Sequence, residues 1–214
     1  MAVFGLSFYG AWIIKVFFEK DGFLFDAGPS LFTQPNNIEE LFAFAGEPIE
    51  DYFHYQQVPL SCKYFYENGK QVSAWTNAEQ LADELHAQLG EDKEAIKNYL
   101  NKSETLYNNI GRIFLNHSLH KRSTWLQKSI LKALQTVRPS HLTGTLHGFN
   151  QASFKTNEAV QLFDRFATYN GSNPYKAPAM LSLIPHLEHN EGTFYPKGGM
   201  ISITNALYQL ALKK

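Results

Sequence analysis

The stretch over residues 163–210 constrains this chain most, because it sets two runs of turn-forming residues on either side of an apolar segment. In the first run Tyr169, Asn170, Gly171, Ser172, Asn173 and Pro174 stop one helix and turn the chain, with Pro174 just before the next helical pattern. In the second, Glu191 and Gly192 lead into a short strand over residues 193–195. Pro196, Lys197, Gly198 and Gly199 then turn the chain into a helix whose apolar face carries Ile201, Ile203, Ala206, Leu207 and Leu210. A glycine pair between strand and helix lets backbone N–H groups approach a ligand and leaves the helix N-terminus facing it. A plain turn is the commoner use of such a pair.

The chain has 214 residues, 44% of them hydrophobic, enough to build a core in one large domain or two small ones. A formal net charge of −1 leaves no basic stripe for nucleic acid and no acidic tail. One cysteine, Cys62, excludes an intrachain disulfide and a multi-cysteine metal site, which fits a reducing compartment. Residues 1–17 carry Lys15 as their one charge. Their uncharged run is short for a membrane span and lacks a basic leader, so buried strand or displaced sequence is the reading.

Along the chain, residues 17–25 read as a strand pair about a tight turn at Asp21 and Gly22, with Phe23 and Phe25 on one face. Asp26, Gly28, Pro29 and Ser30 break the second strand, and Asn36 or Asn37 caps a helix over residues 38–45. Asn68 and Gly69 mark a hairpin with strands at 62–66 and 71–75, setting Tyr64 opposite Val72 or its neighbours and Phe65 on the other face. Helices follow over residues 78–89, capped by Asn77, then from 93 to about 119, 125–137 and 158–168. Lys121, Arg122, Lys128 and Lys132 near Trp125 make a basic, aromatic cluster that suits a membrane surface, although an ordinary solvated helix face is the commoner case. His117, His120, His141 and His147 match no ligand spacing, so no metal is expected, and no GxSxG motif supports a hydrolase.

Taken together, Asp164, Thr168, Tyr169, Gly171, Asn173, Pro174, Tyr175, Ala177, Pro178, Ala179, His186, Glu188, Gly192, Tyr195, Pro196, Gly198 and Gly199 resemble the late substrate-domain segment of the phytoene desaturase family, FAD-dependent carotenoid desaturases related to amine oxidases. A second block from Asp21 through Asp26, Gly28, Pro29 and Ser30 to Leu31 is similar to the segment that follows the dinucleotide-binding unit in those enzymes. The resemblance runs from about Phe18 to the C-terminus. It implies an α+β chain, a fragment of an α/β FAD-dependent oxidoreductase: a small antiparallel sheet plus a helical substrate-binding subdomain. The implied division is a displaced segment at 1–17, flavin-adjacent strands and hairpin at 18–76, a helical subdomain at 77–168, and a strand with return helix at 169–214.

The GxGxxG fingerprint that receives the FAD pyrophosphate is not found, since Gly5 and Gly10 are not followed by a third glycine at the required spacing. The chain therefore reads as a family member without that unit and without the C-terminal portion. The resemblance implies a carotenoid-type substrate whose CH–CH bond loses hydrogen, with hydride passing to FAD. It places Asp26, Gly28, Pro29 and Ser30 beside the cofactor. It assigns Tyr169, Gly171, Asn173, Pro174, Tyr195, Pro196, Gly198 and Gly199 to substrate. No catalytic residue is identified; Asp164, Arg165 and His186 are the candidates for proton handling. A cytoplasmic location, with peripheral contact to the cytoplasmic membrane, is expected. The isolated segment is expected to be inactive, the alternative being a non-enzymatic remnant that binds an apolar ligand or lipid.

Overall fold

A computed structural model describes residues 17–28, 30–111, 137 and 139–214 of the chain. The expected helix at 125–137, the basic cluster around Trp125, His117, His120, Pro29 and the end of the long helix beyond residue 111 lie outside the described residues, as do residues 1–16. The described chain is mixed α and β, with small antiparallel two-stranded sheets. It divides into two compact units. One comprises the described residues up to Pro59 together with Glu191–Lys214, and the other comprises Leu60–Asn190.

In the first unit, strands β1 (Phe17–Lys20) and β2 (Phe23–Asp26) pair antiparallel, Phe18 opposite Phe25. Asp21 and Gly22 both have positive φ, 54° and 79°, the conformation that matches the twist of a two-residue hairpin. Helix α1 (Asn36–Phe44) starts earlier than expected: Pro35 takes the position before it and no side chain caps it, so neither asparagine serves as the cap. Strand β3 (Tyr55–Val58) does not continue into the neighbouring hairpin but pairs antiparallel with β6 (Thr193–Pro196), and Phe32 bridges to Phe194. The last helix, named α8 below, spans Ile201–Lys213. Its Ile203, Ala206 and Leu210 are buried with Phe32, Phe42, Phe53 and Met200. That spacing of three and four residues is the core-facing stripe of a helix.

The second unit opens with β4 (Leu60–Phe65) and β5 (Gln71–Trp75), where Tyr64 stands opposite Val72 as the Asn68–Gly69 turn requires. Helix α2 (Ala78–Leu89) begins where the Asn77 side chain accepts hydrogen bonds from the Glu79 and Gln80 N–H groups, and ends at Gly90, whose φ of 77° is left-handed. Asp92 caps α3 (Lys93–Leu106), which widens into a π-helical turn over Tyr107–Gly111. Pro139 starts a short helix, α4 (Pro139–Thr143), and α5 (Leu146–Gln151) follows, capped by Thr145. Helix α6 (Asn157–Asp164) is capped by Thr156. The segment before it is held by the buried Glu91 carboxylate, which accepts from the Lys155 and Thr156 N–H groups and the Thr156 hydroxyl.

The α-helix expected to reach residue 168 stops at Asp164 and tightens into a 3-10 turn over Arg165–Asn170. The apolar segment before Glu191 is likewise two pieces, a 3-10 turn over Ala179–Leu183 and helix α7 (Pro185–His189). Pro185 cannot donate to a preceding carbonyl, so it begins a helix instead of continuing one. Leu81, Leu85, Ile96, Leu100, Phe163 and Phe166 form the centre of this unit's core. Tyr99, Phe154 and Phe163 pack as an aromatic group within it, the two phenylalanine rings stacked at 4.4 Å. Because Phe163 is fully buried, Phe163→Ala should cost about 3–5 kcal/mol. Asn77→Ala should cost about 1 kcal/mol through the lost cap. Urea unfolding followed by far-UV circular dichroism measures both.

Candidate functional site

The residues expected to act divide between the two units. In the first unit Asp26, at the end of β2, lies against the turn that leads into α8. Its Oδ2 accepts from the Tyr195 hydroxyl at 3.2 Å and its Oδ1 from the Met200 N–H at 3.2 Å. Gly198 and Gly199 have φ of 91° and 84°, and a Cβ on Gly199 would lie 3.2 Å from Asp26 Oδ1. Glycine is thus needed at 199 for backbone conformation and for the close approach of this carboxylate. Burial and the Asp26 carboxylate push the Tyr195 hydroxyl pKa up. Gly28 and Ser30 are exposed.

Asp26 supplies the negative charge that a helix N-terminus favours. The chain's own carboxylate therefore takes the place an incoming phosphate would need, and the Gly199 N–H is spent on the Pro196 carbonyl at 3.0 Å. Among the described residues this turn does not fit the pyrophosphate of FAD.

In the second unit Arg165 and Asp164, neighbours in sequence, part company. Arg165 donates through Nη2 to Glu188 Oε2 at 2.6 Å and through Nε to the Tyr64 hydroxyl at 2.5 Å, while its guanidinium lies 4.6 Å from the Phe166 ring centre. Tyr169 donates its hydroxyl to Glu188 Oε1 at 2.5 Å. The Glu188 side chain is 0% exposed, and each of its oxygens accepts a hydrogen bond. Burial raises the Glu188 pKa, but the Arg165 charge and the hydrogen bonds from Arg165 and Tyr169 outweigh it and hold the carboxyl below the usual range. Burial pushes the Tyr64 and Tyr169 hydroxyls well above the ordinary tyrosine value. This cluster ties β4, the 3-10 turn after α6, and α7 together.

Asp164 turns the other way. Its Oδ2 meets His147 Nδ1 at 2.7 Å and its Oδ1 accepts from Asn150 Nδ2 at 2.8 Å; Asn150 Oδ1 in turn accepts from the buried Tyr99 hydroxyl at 2.7 Å. Asp164 and Arg165 thus join separate networks. His186 is buried in α7, with Asn190 Nδ2 at 2.9 Å from its Nδ1 and its ring against Tyr107. His189, beside it, is fully buried and pushed toward its neutral form by burial; its Nδ1 bonds the Trp75 carbonyl at 2.8 Å.

The loop from Tyr169 to Pro178 closes over the N-terminal end of α5. Gly171 is left-handed, with φ 69°, and lets the Ser172 N–H return to the Ala167 carbonyl. Asn173 holds the next turn: its side chain accepts from the Tyr175 N–H and its carbonyl from Lys176 and Ala177. The Pro174 and Ala177 carbonyls then accept from the His147 and Leu146 N–H groups at 3.1 and 2.9 Å. The sequence motif thus satisfies orphan donors at the first turn of α5. His147, set aside in the sequence for want of metal-ligand spacing, lies within this arrangement, and no group of His, Cys, Asp or Glu among the described residues could hold a metal ion. A shallow cleft of about 350 Å³, lined by Trp75, Gln80, Asp83, Glu84 and Ala87, contains none of the expected site residues.

Removing one partner of a buried ion pair leaves an uncompensated charge, so Glu188→Ala should destabilise this unit by about 3–5 kcal/mol. The lowered Glu188 pKa means the folded state binds its proton less readily than the unfolded chain. Its contribution is fully present above the unfolded value, near 4.5, and is lost as pH falls below it through the folded value. Melting temperature should therefore fall below about pH 4.5 in the native chain and show a weaker acid dependence in Glu188→Gln.

No protein-family model matches the chain. It is 38% identical over 195 residues to a 1-hydroxycarotenoid 3,4-desaturase of a Flavobacterium species, covering 91% of this chain and 40% of that protein. It is 27% identical over 197 residues to a 4,4'-diaponeurosporene oxygenase of Staphylococcus haemolyticus, covering 92% of this chain and 39% of the relative. A carotenoid 3,4-desaturase of Haloarcula japonica is 26% identical over 192 residues, 90% of this chain and 38% of the relative. The chain thus spans about two fifths of the length of the curated relatives it matches. Over that span, the chain is similar to carotenoid desaturases and oxygenases.

Proposed function

We propose that this chain is the substrate-side segment of a carotenoid-oxidising flavoprotein, one that removes hydrogen from a CH–CH bond of a polyene. The observation that carries the reading is the 38% identity, sustained over 195 residues, to a protein named for desaturating a carotenoid. In the whole enzyme FAD would accept the hydride; its pyrophosphate would be held by residues other than those of the turn at Gly198 and Gly199, which Asp26 fills, while Gly28 and Ser30 stay candidates for the flavin-adjacent wall.

On this reading Tyr169, Gly171, Asn173 and Pro174 in one unit, and Tyr195, Pro196, Gly198 and Gly199 in the other, are the polyene-facing residues. The structure supports a shaping role for them. Gly171, Asn173 and Gly199 impose the turns, and Tyr169 is held by Glu188 while 40% of it stays exposed. An apolar substrate needs little more than such a shaped, aromatic wall with a few fixed polar groups. No helix among the described residues is long and apolar enough to cross a membrane. The polyene would reach the protein by peripheral contact with the cytoplasmic face of a membrane.

Titration of the purified chain with FAD, and separately with an acyclic carotenoid in detergent micelles, tests the reading. The carotenoid should bind with a shifted visible spectrum, flavin fluorescence should stay unquenched, and the two together should give no turnover. Failure to bind any carotenoid would overturn the substrate assignment. Tight FAD binding or turnover would overturn the assignment of the cofactor site to other residues.

A further inference from the structure

His189 is a buried titratable group that no part of the proposed chemistry uses. It follows Glu188 on α7 and is 2% exposed. Its Nδ1 lies 2.8 Å from the Trp75 carbonyl of β5. A carbonyl oxygen can only accept, so Nδ1 carries the proton and the neutral ring has its lone pair on Nε2. Nε2 is buried and has no hydrogen-bond partner among the described residues. The ring meets Phe166 edge to face, with centroids 5.9 Å apart. Phe166 in turn carries the Arg165 guanidinium on its face and packs against Tyr169 at 6.1 Å.

A second proton, on Nε2, would place a positive charge and an unsatisfied N–H in this space, and both are costly when buried. Glu188 would attract the charge, but its oxygens are already taken by Arg165 and Tyr169. Arg165, from the 3-10 turn, would repel it. Strand β5 offers the Trp75 carbonyl, which Nδ1 already occupies, and its residues 71–75 include no ionisable side chain. Burial, aided by the Arg165 charge, outweighs Glu188 and the Trp75 bond and holds the imidazole pKa below its ordinary value of 6.5. We propose that His189 is a pH-sensitive latch: a proton added at Nε2 breaks the packing of α7 on β5 and on Phe166, and with it the grip of Glu188 on Tyr169. On the polyene reading above, Tyr169 belongs to the ligand wall, so acid loosens that wall. The folded state binds this proton less readily than the unfolded chain, so the stabilisation is fully present above about 6.5 and is lost as pH falls through the lower, folded value. The Glu188 effect begins only below about 4.5, which separates the two.

Spectra of the full chain with nitrogen-15 histidine, taken from about pH 8 to 5, follow the His189 Nε2 proton, and amide exchange of residues 186–190 over the same range follows the latch. Nε2 should stay unprotonated through the pH at which an exposed histidine titrates. The amides should then lose protection by about tenfold in the same step in which Nε2 takes its proton. His189→Asn, whose side-chain amide can donate to the Trp75 carbonyl and does not titrate, should keep its protection throughout. Protection that holds while Nε2 titrates in the native chain, or titration at the ordinary histidine value, would overturn the latch, and neither readout needs the variant to fold. An acyclic carotenoid in micelles should bind the native chain about tenfold more weakly at the acid end of the range, and His189→Asn equally at both ends. Equal affinity in a native chain whose α7 has opened would overturn the link to Tyr169. Binding at neither end would overturn the polyene reading, and the exchange data would still decide the latch.

Discussion

The buried carboxylate of Glu188 is the interaction on which the Leu60–Asn190 unit depends most. A charge with no solvent-exposed surface is tolerated only when donors meet it at close range, and Arg165 and Tyr169 do so at 2.6 and 2.5 Å. Arg165 is in turn held by the Tyr64 hydroxyl and the face of Phe166. Three elements far apart in sequence are thereby fixed in register: the hairpin through Tyr64, the 3-10 turn through Arg165 and Tyr169, and α7 through Glu188. Hydrophobic burial would bring the same elements together without fixing the angle between them. The charged pair adds that direction, which suits a segment whose role is to present a shaped surface.

The tightening of the chain after Asp164 follows from the same demand. Asp164 and Arg165 must point to different partners, His147 and Asn150 on one side and Glu188 and Tyr64 on the other. Successive residues on a helix diverge by about 100° and so never share a face. Placing them at the junction of α6 with the 3-10 turn lets one acid and one base each anchor a separate network. Tyr169, four residues beyond Arg165, returns to the Glu188 side.

What could be read from sequence follows how local the determining interaction is. The helix at Ala78–Leu89 was legible to its end residues because its start is a side-chain cap two residues away and its stop is a left-handed glycine. The Tyr64–Val72 register was legible because a short turn sets it. The pairing of β3 with β6 was not, since nothing near Tyr55 names Pro196 as its partner. The candidate site divides in the same way. Gly171, Asn173 and Gly199 carry a visible turn signature, and the structure gives each a backbone reason. His147 gave no signal, because its partner Asp164 is 17 positions away and the pair matches no periodic spacing. Asp164, Arg165 and Glu188 were visible as residues, but their partners were not, since Tyr64, His147 and Asn150 lie at distances in sequence that no local pattern encodes.

The turn before α8 shows how one sequence pattern serves opposite ends. A strand, a glycine pair and a helix N-terminus form the elements of an anion site, and the structure places an anion there. That anion is Asp26, from β2, more than 170 positions earlier in the chain. The electrostatic logic of a phosphate site is intact, with N–H groups and the positive end of a helix dipole facing negative charge. Its occupant is covalently part of the protein and present at a high effective concentration. A phosphate would have to displace this carboxylate, losing the Tyr195 and Met200 hydrogen bonds, and would meet repulsion from Asp26 if the displaced group stayed near. The glycine pair therefore joins strand β6 to helix α8 within this unit, and its conformational demands are met without any ligand.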